Sequence, residues 1–284
     1  MKKFIFLTAI IITSFFCYSL TSAKLKTLQQ VSTVRYTAFP DYYPISQITK
    51  LSKIKGNIYQ GVFDNFISDI SAVNNLNFQI YLDDDYIQTI RSAETNNLDI
   101  VIGIYADSKL YDDFQIITPS LIDNPVHLVM LPSRIGQIRE AQDLLPLKGA
   151  IDENDKFNNF VTEQFKKFNI ETVSTPQEAY RKLMSGEVDY IFTSYWYGIS
   201  KIMELGIQDL VAVSQKGLWN MPLFIGISDF SQKKNYLMHH ITEYLKNPIV
   251  TQKIKERALE VLEEIKKQNQ GVVPNSYILQ NNNN

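Results

Sequence analysis

Cysteine and histidine are scarce in this sequence, and both shortages exclude classes of function. The one cysteine, Cys17, lies in an apolar segment near the N-terminus. A single thiol provides no disulfide framework and no cysteine-based metal site. Three histidines, His127, His239 and His240, leave little material for an acid–base centre, and no G-x-S-x-G, H-E-x-x-H or phosphate-loop pattern occurs. We therefore expect a protein stabilised by its hydrophobic core, with no metal and no cofactor.

An excess of positive charge is also absent. The sequence has 28 basic and 30 acidic residues. Without Lys2 and Lys3, which belong to the N-terminal segment, 26 basic residues remain and the net charge is −4. A nucleic-acid-binding domain is expected to carry a basic surface, so the composition argues against a nucleic-acid partner.

The N-terminal segment has the pattern of a secretory signal peptide. Lys2 and Lys3 precede a stretch of apolar or small residues that runs from Phe4 to Leu20. Thr21-Ser22-Ala23 supplies small residues for cleavage after Ala23, which predicts a periplasmic or secreted protein. A retained membrane anchor is the alternative. Lipid attachment at Cys17 fits poorly, because a bulky phenylalanine directly precedes that residue.

Helix and strand patterns alternate along the rest of the chain. Residues 62–73 place their apolar side chains on one helical face, and residues 78–82 alternate as a strand. A further helix over 87–96 and a nearly all-apolar strand over 98–103 follow. The same order of helix and acidic strand recurs at 176–192. This alternation predicts an α/β protein with parallel strands and right-handed crossovers.

Other segments have simpler predictions. The prolines of Phe39–Pro44 predict a loop at a strand end, and residues 46–60 are polar and end in a turn signal at 55–57. We expect a strand at His127–Leu131, a helix at Phe157–Phe168, and helices at Lys233–Lys246 and Val250–Lys267. The asparagine-rich tail has the composition of a disordered segment.

The sequence resembles the extracellular solute-binding proteins that serve polar amino-acid ABC transporters, over about residues 33–265. The resemblance is carried, in this order, by the aromatic-proline loop Phe39–Pro44, G-V-F-D-N-F-I-S-D-I, N-N-L-D-I-V-I-G, I-T-P-S-L-I-D-N-P-V-H-L-V-M, P-L-K-G-A-I-D and S-G-E-V-D-Y-I-F. It implies a two-lobed, type II periplasmic-binding-protein fold. Lobe one would be residues 24–127 plus 227–284, and lobe two residues 128–226. The two crossover segments would lie near Leu128–Pro132 and Leu223–Gly226.

Two departures from the family pattern affect the ligand. Members that bind α-amino acids usually have an arginine that grips the ligand's carboxylate as a fork. Leu110 stands at that position, and the neighbouring Lys109 is a point charge that cannot form the fork. Ser194 stands where many members have an aspartate for the ligand's ammonium group. Both charged grips are altered, which weakens the prediction of an amino-acid ligand.

Candidate ligand-binding residues lie at predicted strand ends, where open α/β sheets bind their ligands. Each also has a structural interpretation: aromatic packing, helix capping by Ser194, turn formation by Asp152, or a solvated Lys109. Asp83-Asp84-Asp85 is interpreted as a helix cap rather than a metal site. The candidates are Phe39, Tyr42, Tyr43, Tyr86, Gly103, Tyr105, Lys109, Asp152, Ser194, Trp196 and Trp219.

The resemblance implies a monomeric binding protein without catalysis. It would capture a small polar solute between two lobes and deliver it to the membrane permease of an ABC transporter. Two alternatives stay open: a periplasmic enzyme of the same fold, dehydratase-like, and a sensory solute-binding protein that reports to a membrane partner. The sequence offers no clear acid–base pair for the enzyme.

Overall fold

The structure, a computed structural model, describes residues 32–52, 56–83, 85–106, 108–138, 140–157 and 165–269. The predictions for the signal peptide (1–23), for Cys17, for Asp84, for the middle of the helix at 157–168 and for the tail after residue 269 lie outside these residues.

Strands and helices are numbered separately in chain order. The strands are β1 (Ser32–Ala38), β2 (Asp41–Tyr42), β3 (Ser46–Ser52), β4 (Gly56–Gly61), β5 (Leu76–Ile80), β6 (Ile100–Ile104), β7 (Phe114–Ile122), β8 (Val126–Met130), β9 (Lys148–Asp152), β10 (Asn169–Val173), β11 (Tyr190–Ser194), β12 (Ala212–Val213) and β13 (Leu223–Ser228). The α-helices are α1 (Asp64–Asn74), α2 (Tyr86–Arg91), α3 (Pro176–Met184), α4 (Tyr195–Glu204), α5 (Lys234–Leu245) and α6 (Pro248–Gln268).

Two five-stranded sheets organise the chain. The first has the order β5-β1-β6-β13-β7, and the second has the order β10-β9-β11-β8-β12. In the first sheet β1 is parallel to β5 and β6, and in the second β9 is parallel to β10 and β11. These parallel pairs confirm the prediction from the alternating helices and strands. The remaining partners, β13 and β8, run antiparallel to their neighbours.

The aromatic-proline loop and the polar stretch after it form a third, small sheet. Its order is β2-β3-β4, and both pairs are antiparallel. The prediction of a plain loop at Phe39–Pro44 is therefore wrong at Asp41–Tyr42, and no strand was predicted within residues 46–60, where β3 and most of β4 lie. A half-exposed ribbon needs few apolar residues, because one face meets water, and this explains why the polar sequence concealed its strands.

The chain passes between the two large sheets twice. The first link is residues 123–125, between β7 and β8, and the second is residues 214–222, between β12 and β13. The second link is joined to Val126, the first residue of β8, by backbone hydrogen bonds of 2.8 Å from Val126 N to the Trp219 carbonyl and from Leu218 N to the Val126 carbonyl. The segments expected as crossovers are strand residues instead. Most of Leu128–Pro132 lies in β8 and all of Leu223–Gly226 lies in β13, because their apolar side chains fill the sheets.

Apolar helix faces cover both sheets. Helix α1 buries Phe66, Ile67 and Ile70, whereas Val73, predicted on the same face, is 67% exposed because it lies in the last turn. Helix α3 begins as predicted, with Thr175 accepting the Glu178 N–H and Pro176 in the first turn. Helix α6 packs on α1, α5 and β7. It also packs on α4, the helix that follows strand β11 of the second sheet. In the described part of the chain, no helix combines the length and apolar character needed to span a bilayer.

Candidate functional site

The carboxyl ends of the parallel strands of the two sheets meet face to face. Tyr42 and Tyr105 follow β1 and β6 of the first sheet, and Asp155 and Ser194 follow or end β9 and β11 of the second. Asn124 lies in the first link between the sheets. We call these five residues the central cluster. None of them is more than 2% exposed, so the cluster is a buried polar contact between the sheets.

The Asp155 carboxylate is the hub of the cluster. Oδ1 accepts hydrogen bonds from the Tyr42 hydroxyl at 2.9 Å and the Ser194 hydroxyl at 2.7 Å. Oδ2 accepts from the Ser194 N–H at 2.7 Å and the Thr193 hydroxyl at 2.9 Å. Burial raises the pKa of Asp155 from 3.8 to about 6, and these hydrogen bonds limit the rise. Every described residue that contacts the carboxylate is neutral.

Asn124 ties the link to both sheets. Its amide Nδ2 donates to the Tyr105 hydroxyl at 3.0 Å, and its Oδ1 accepts from the Trp196 N–H at 3.3 Å. The hydroxyls of Tyr105 and Tyr42 lie 2.8 Å apart. Burial, and next the Asp155 carboxylate, raise the pKa of the Tyr105 phenol well above its usual value, so it stays a neutral donor.

The N-terminus of α4 points at the cluster, and the protein's own groups occupy its first amides. The Ser194 N–H donates to Asp155, the Tyr195 N–H to the Pro125 carbonyl at 2.9 Å, and the Trp196 N–H to Asn124. A helix N-terminus favours an anion. Here the Asp155 side chain fills that position.

Aromatic rings surround the Tyr42 side chain. Tyr197 stacks on it with ring centroids 5.6 Å apart, and Phe39 meets it edge-on at 5.8 Å. Tyr197 also donates to Oδ2 of the buried Asp152 at 2.6 Å, while Asp152 Oδ1 accepts from the Asn154 N–H at 3.0 Å. Asp152 thus contacts Tyr197 and Asn154 within the second sheet's half of the molecule, beside the central cluster.

The predicted site residues separate into two groups. Tyr42, Tyr105 and Ser194 belong to the central cluster, and Phe39, Asp152 and Trp196 adjoin it. Trp196 donates its indole N–H to the Asp123 carbonyl at 2.9 Å.

The remaining candidates lie elsewhere in the structure. The Tyr86 hydroxyl is hydrogen-bonded to the Tyr111 hydroxyl at 3.0 Å, and the Tyr86 ring packs on Phe39. Gly103 packs against Phe63. Lys109 is exposed, and Tyr43 lines a polar cavity beside Arg257. Trp219 packs on Phe165 with their ring centroids 4.5 Å apart.

Sequence reasoning missed Asp155, Asn124, Thr193 and Tyr197. Asp155 lies three positions beyond Asp152, in a loop for which turn formation by Asp152 was the structural interpretation. Asn124 stands between an aspartate and a proline in the segment I-D-N-P, where a turn is the ordinary interpretation. Loop length decides which of these polar residues reaches the opposite sheet, and single-sequence patterns do not fix it.

Metal ligation finds no support in the described residues. They contain no group of three or more histidine, cysteine, aspartate or glutamate side chains placed to hold a metal ion. The cluster offers hydrogen-bond donors, acceptors and one carboxylate, which together suit recognition of a small polar molecule.

No protein-family model and no curated protein sequence matches this chain. Solved structures do resemble it. A binding component of an ABC transporter from Wolinella succinogenes, complexed with lysine, is 17% identical with a TM-score of 0.61, covering 80% of this chain and 95% of that one. An amino-acid ABC transporter substrate-binding protein from Streptococcus pneumoniae, bound to L-arginine, is 15% identical with a TM-score of 0.54, covering 85% and 97%.

A histidine kinase sensor domain is similar to the same degree: it is 16% identical with a TM-score of 0.55, covering 86% of this chain and 99% of that one. The periplasmic VFT2 domain of BvgS from Bordetella pertussis is 12% identical with a TM-score of 0.58, covering 86% of this chain and 97% of that one. These likenesses establish the α/β, two-lobed fold of type II periplasmic binding proteins, as the sequence predicted.

Proposed function

We propose that this protein is an exported solute-binding protein that captures a small polar solute between its two sheets and delivers it to the permease of an ABC transporter. One observation carries the proposal: the buried central cluster takes its polar groups from both sheets and from the link that joins them. These groups contact one another only when the two sheets come together. A solute that binds to groups of both sheets would therefore favour the closed form.

The proposed sequence of events begins with the sheets apart. Tyr42 and Tyr105 then face Asp155 and Ser194 across a cleft. A solute that bonds to both sides replaces direct bonds such as Tyr42–Asp155 and draws the sheets together. The closed form docks on the permease. In this proposal the protein acts as a monomer, without cofactor or covalent chemistry, after cleavage following Ala23.

A sensory role is the second candidate, and a specific observation favours it. The BvgS domain has the same fold over nearly its whole length, as does a histidine kinase sensor domain. The central cluster would serve a sensor equally well, because closure is the signal in either case. Permease and ATPase genes beside this gene would favour transport, and a kinase gene would favour sensing.

A periplasmic enzyme of this fold is a weaker candidate. Catalysis on a bound solute requires an acid and a base within hydrogen-bond reach of it. His127 instead bonds the Ser214 carbonyl through Nδ1 at 2.8 Å, and burial lowers its pKa. Incubation with a bound solute followed by mass spectrometry of that solute tests this candidate, since turnover would change its mass.

Ligand-dependent stability and compaction test the proposed function. We would screen the purified protein by thermal melting against amino acids, amines, short peptides, organic acids and sugars. A ligand at 100 times its dissociation constant stabilises the folded state by about 2.7 kcal/mol. For any solute that stabilises the protein, small-angle scattering should show a smaller radius of gyration with the solute than without it. No stabilisation and no compaction with any solute, free or co-purified, would refute the proposal.

A further inference from the structure

The central cluster contains one proton too few when Asp155 is ionised. The Tyr42 hydroxyl, the Ser194 hydroxyl and Asp155 Oδ1 form a triangle with sides of 2.9, 2.8 and 2.7 Å. Each side is short enough to need a proton between its oxygens. The two hydroxyls supply two protons for three sides, because a carboxylate supplies none. One pair of oxygens is therefore left facing without a proton.

Neighbouring donors do not correct this shortage. The Asn124 amide lies 3.0 Å from the Tyr105 hydroxyl and 3.4 Å from that of Tyr42, so it serves other lone pairs. Thr193 and the Ser194 N–H are directed at the other carboxylate oxygen. A group with two or more N–H donors in the place of the Tyr42 hydroxyl would complete the triangle, because it can donate to both Asp155 Oδ1 and the Ser194 hydroxyl. A cation would also neutralise a carboxylate whose hydrogen-bond donors among the described residues are all neutral.

The same geometry disfavours a ligand carboxylate. The amides at the start of α4, the natural seat for an anion, are already occupied by Asp155, the Pro125 carbonyl and Asn124. In the described part of the chain, no lysine or arginine nitrogen lies within 4.0 Å of the Asp155 oxygens. A second anion beside Asp155 would add repulsion in a buried setting.

We propose that the solute held between the two sheets is an organic amine without a carboxylate, whose ammonium group binds Asp155 at the point where the Tyr42 hydroxyl now lies. An ammonium group supplies three N–H donors, enough to donate to both Asp155 Oδ1 and the Ser194 hydroxyl, so that each side of the new triangle holds a proton. The rings of Tyr42, Tyr197 and Phe39 would then line the site, and aromatic faces attract organic cations. This inference rests on the proposed function and narrows its ligand class.

Matched pairs of ligands test the proposal by titration calorimetry on the purified protein at pH 7.5. The pairs are cadaverine and L-lysine, agmatine and L-arginine, and tyramine and L-tyrosine, in which the members differ only by the carboxylate. The neutral alcohol 1-pentanol serves as a further control. We expect at least one amine to bind ten-fold or more tightly than its amino acid, and the alcohol not to bind.

Two variants with opposite expected effects locate the ammonium group. Asp155→Asn should weaken amine binding ten-fold or more, because it removes the charge. Tyr42→Phe should strengthen it, because it removes the hydroxyl that competes for Oδ1 and keeps the ring. Asp41→Asn, the same charge change at an exposed neighbour of Tyr42, should alter affinity less than two-fold. The Tyr42→Phe result keeps the test valid even if Asp155→Asn fails to fold.

The outcomes separate this inference from the proposed function. If an amino acid, an acid or a neutral solute binds as tightly as any amine, the amine class is wrong and the solute-binding function stands. If amines bind but Asp155→Asn leaves their affinity unchanged, the assignment to Asp155 is wrong. If no solute of any class binds or compacts the protein, both proposals fail together.

Discussion

The hydroxyl of Tyr42 donates to the carboxylate of Asp155 at 2.9 Å, although the two residues lie 113 positions apart and follow strands of different sheets. Both side chains are fully buried. Together with the 2.8 Å contact between the Tyr42 and Ser194 hydroxyls, this bond connects the two halves of the molecule at their centre. It therefore couples the ionisation of one aspartate to the contact between the sheets.

Stability should fall as pH rises through the titration of Asp155. Burial raises the pKa of Asp155 from 3.8 to about 6 in the folded protein, so between these values the folded state holds a proton that the unfolded state has lost. The folded state is favoured below pH 4, and that advantage disappears by about pH 6. At about 1.4 kcal/mol per pKa unit, the contribution is about 3 kcal/mol.

Urea unfolding of the wild-type protein and of Asp155→Asn, measured from pH 4 to pH 7.5, checks this prediction. The asparagine cannot titrate and offers an N–H to the triangle, so the variant should be at least as stable as the wild type at pH 7.5. Subtracting the two curves cancels the other carboxylates. A flat difference across the range would show that Asp155 has an ordinary pKa.

Asn124 should be more important for stability than a comparable asparagine in the other link. Asn124→Ala removes hydrogen bonds to Tyr105 and to the Trp196 N–H in a fully buried position, which costs about 1–3 kcal/mol. Asn220→Ala removes an exposed bond of 2.9 Å to Asp123 and should cost less than about 0.5 kcal/mol. Denaturant midpoints for both variants test the ranking, and equal midpoints would contradict it.

Replacement of Gly103 should destabilise the fold for a reason separate from ligand binding. Its φ is +73°, and an added Cβ would lie 2.7 Å from Phe63 Cε2. Gly103→Ala combines backbone strain of about 1–2 kcal/mol with overpacking of about 1–3 kcal/mol. Gly136 has φ of +82° with nothing within 4 Å of its added Cβ, so Gly136→Ala isolates the strain. Thermal melting should show the larger loss for Gly103→Ala; a similar loss for both would mean that Phe63 yields easily.

The ion pair between α6 and α1 should contribute more than an exposed pair on the same helix. Arg257 reaches Asp64 through Nε at 3.1 Å and Nη2 at 3.0 Å, with 18% of its side chain exposed. Lys253 meets Asp69 at 3.3 Å with 59% exposed. Arg257→Met should lower the free energy of unfolding by about 1–2 kcal/mol, and Lys253→Met by less than about 0.5 kcal/mol. Urea unfolding compares them.

Lys109 should have no part in ligand affinity. The sequence made it a candidate cation for an acidic group, whereas the structure leaves it exposed in a short 3-10 helix, Lys109–Tyr111. Lys109→Met should therefore change the dissociation constant of any solute found in the screen less than two-fold. Calorimetry of the variant beside the wild type measures this, and a ten-fold loss would return Lys109 to the site.

Most of the architecture could be predicted from the sequence because, in the two large sheets, the periodicity of the apolar residues matches the positions that are buried. The apolar strand Ile100–Ile104 and the capped helix Pro176–Met184 are examples in which local pattern and tertiary packing favour one structure. The small sheet was missed because β3 and β4 are polar and half exposed. The crossover segments were predicted at the wrong residues, because the apolar sequences of β8 and β13 are equally compatible with buried segments that link two sheets.

The site was only partly predictable for a different physical reason. Tyr42, Tyr105 and Ser194 were found because strand ends meet at one edge of a sheet. Tyr86 and Tyr43 share that position in sequence, yet Tyr86 turns toward Tyr111 and Tyr43 toward Arg257. Asp155 was overlooked because it lies in the loop after β9 and its partners come from distant segments: Thr193 and Ser194 from β11 of the same sheet, and Tyr42 from the other half of the molecule. Contacts between distant segments leave no periodic signal in any of them.

The position of β13 in the first sheet has a consequence for how the chain acquires its fold. This strand lies between β6 and β7, so β7 has no partner strand in the first sheet until residue 228 is available. The second sheet consists of the continuous segment from β8 to β12 and needs no later residue. During synthesis, we expect the inner segment to fold first as an autonomous insert. The outer segments then close around its two ends, and the contact between Tyr42 and Asp155 forms among the last.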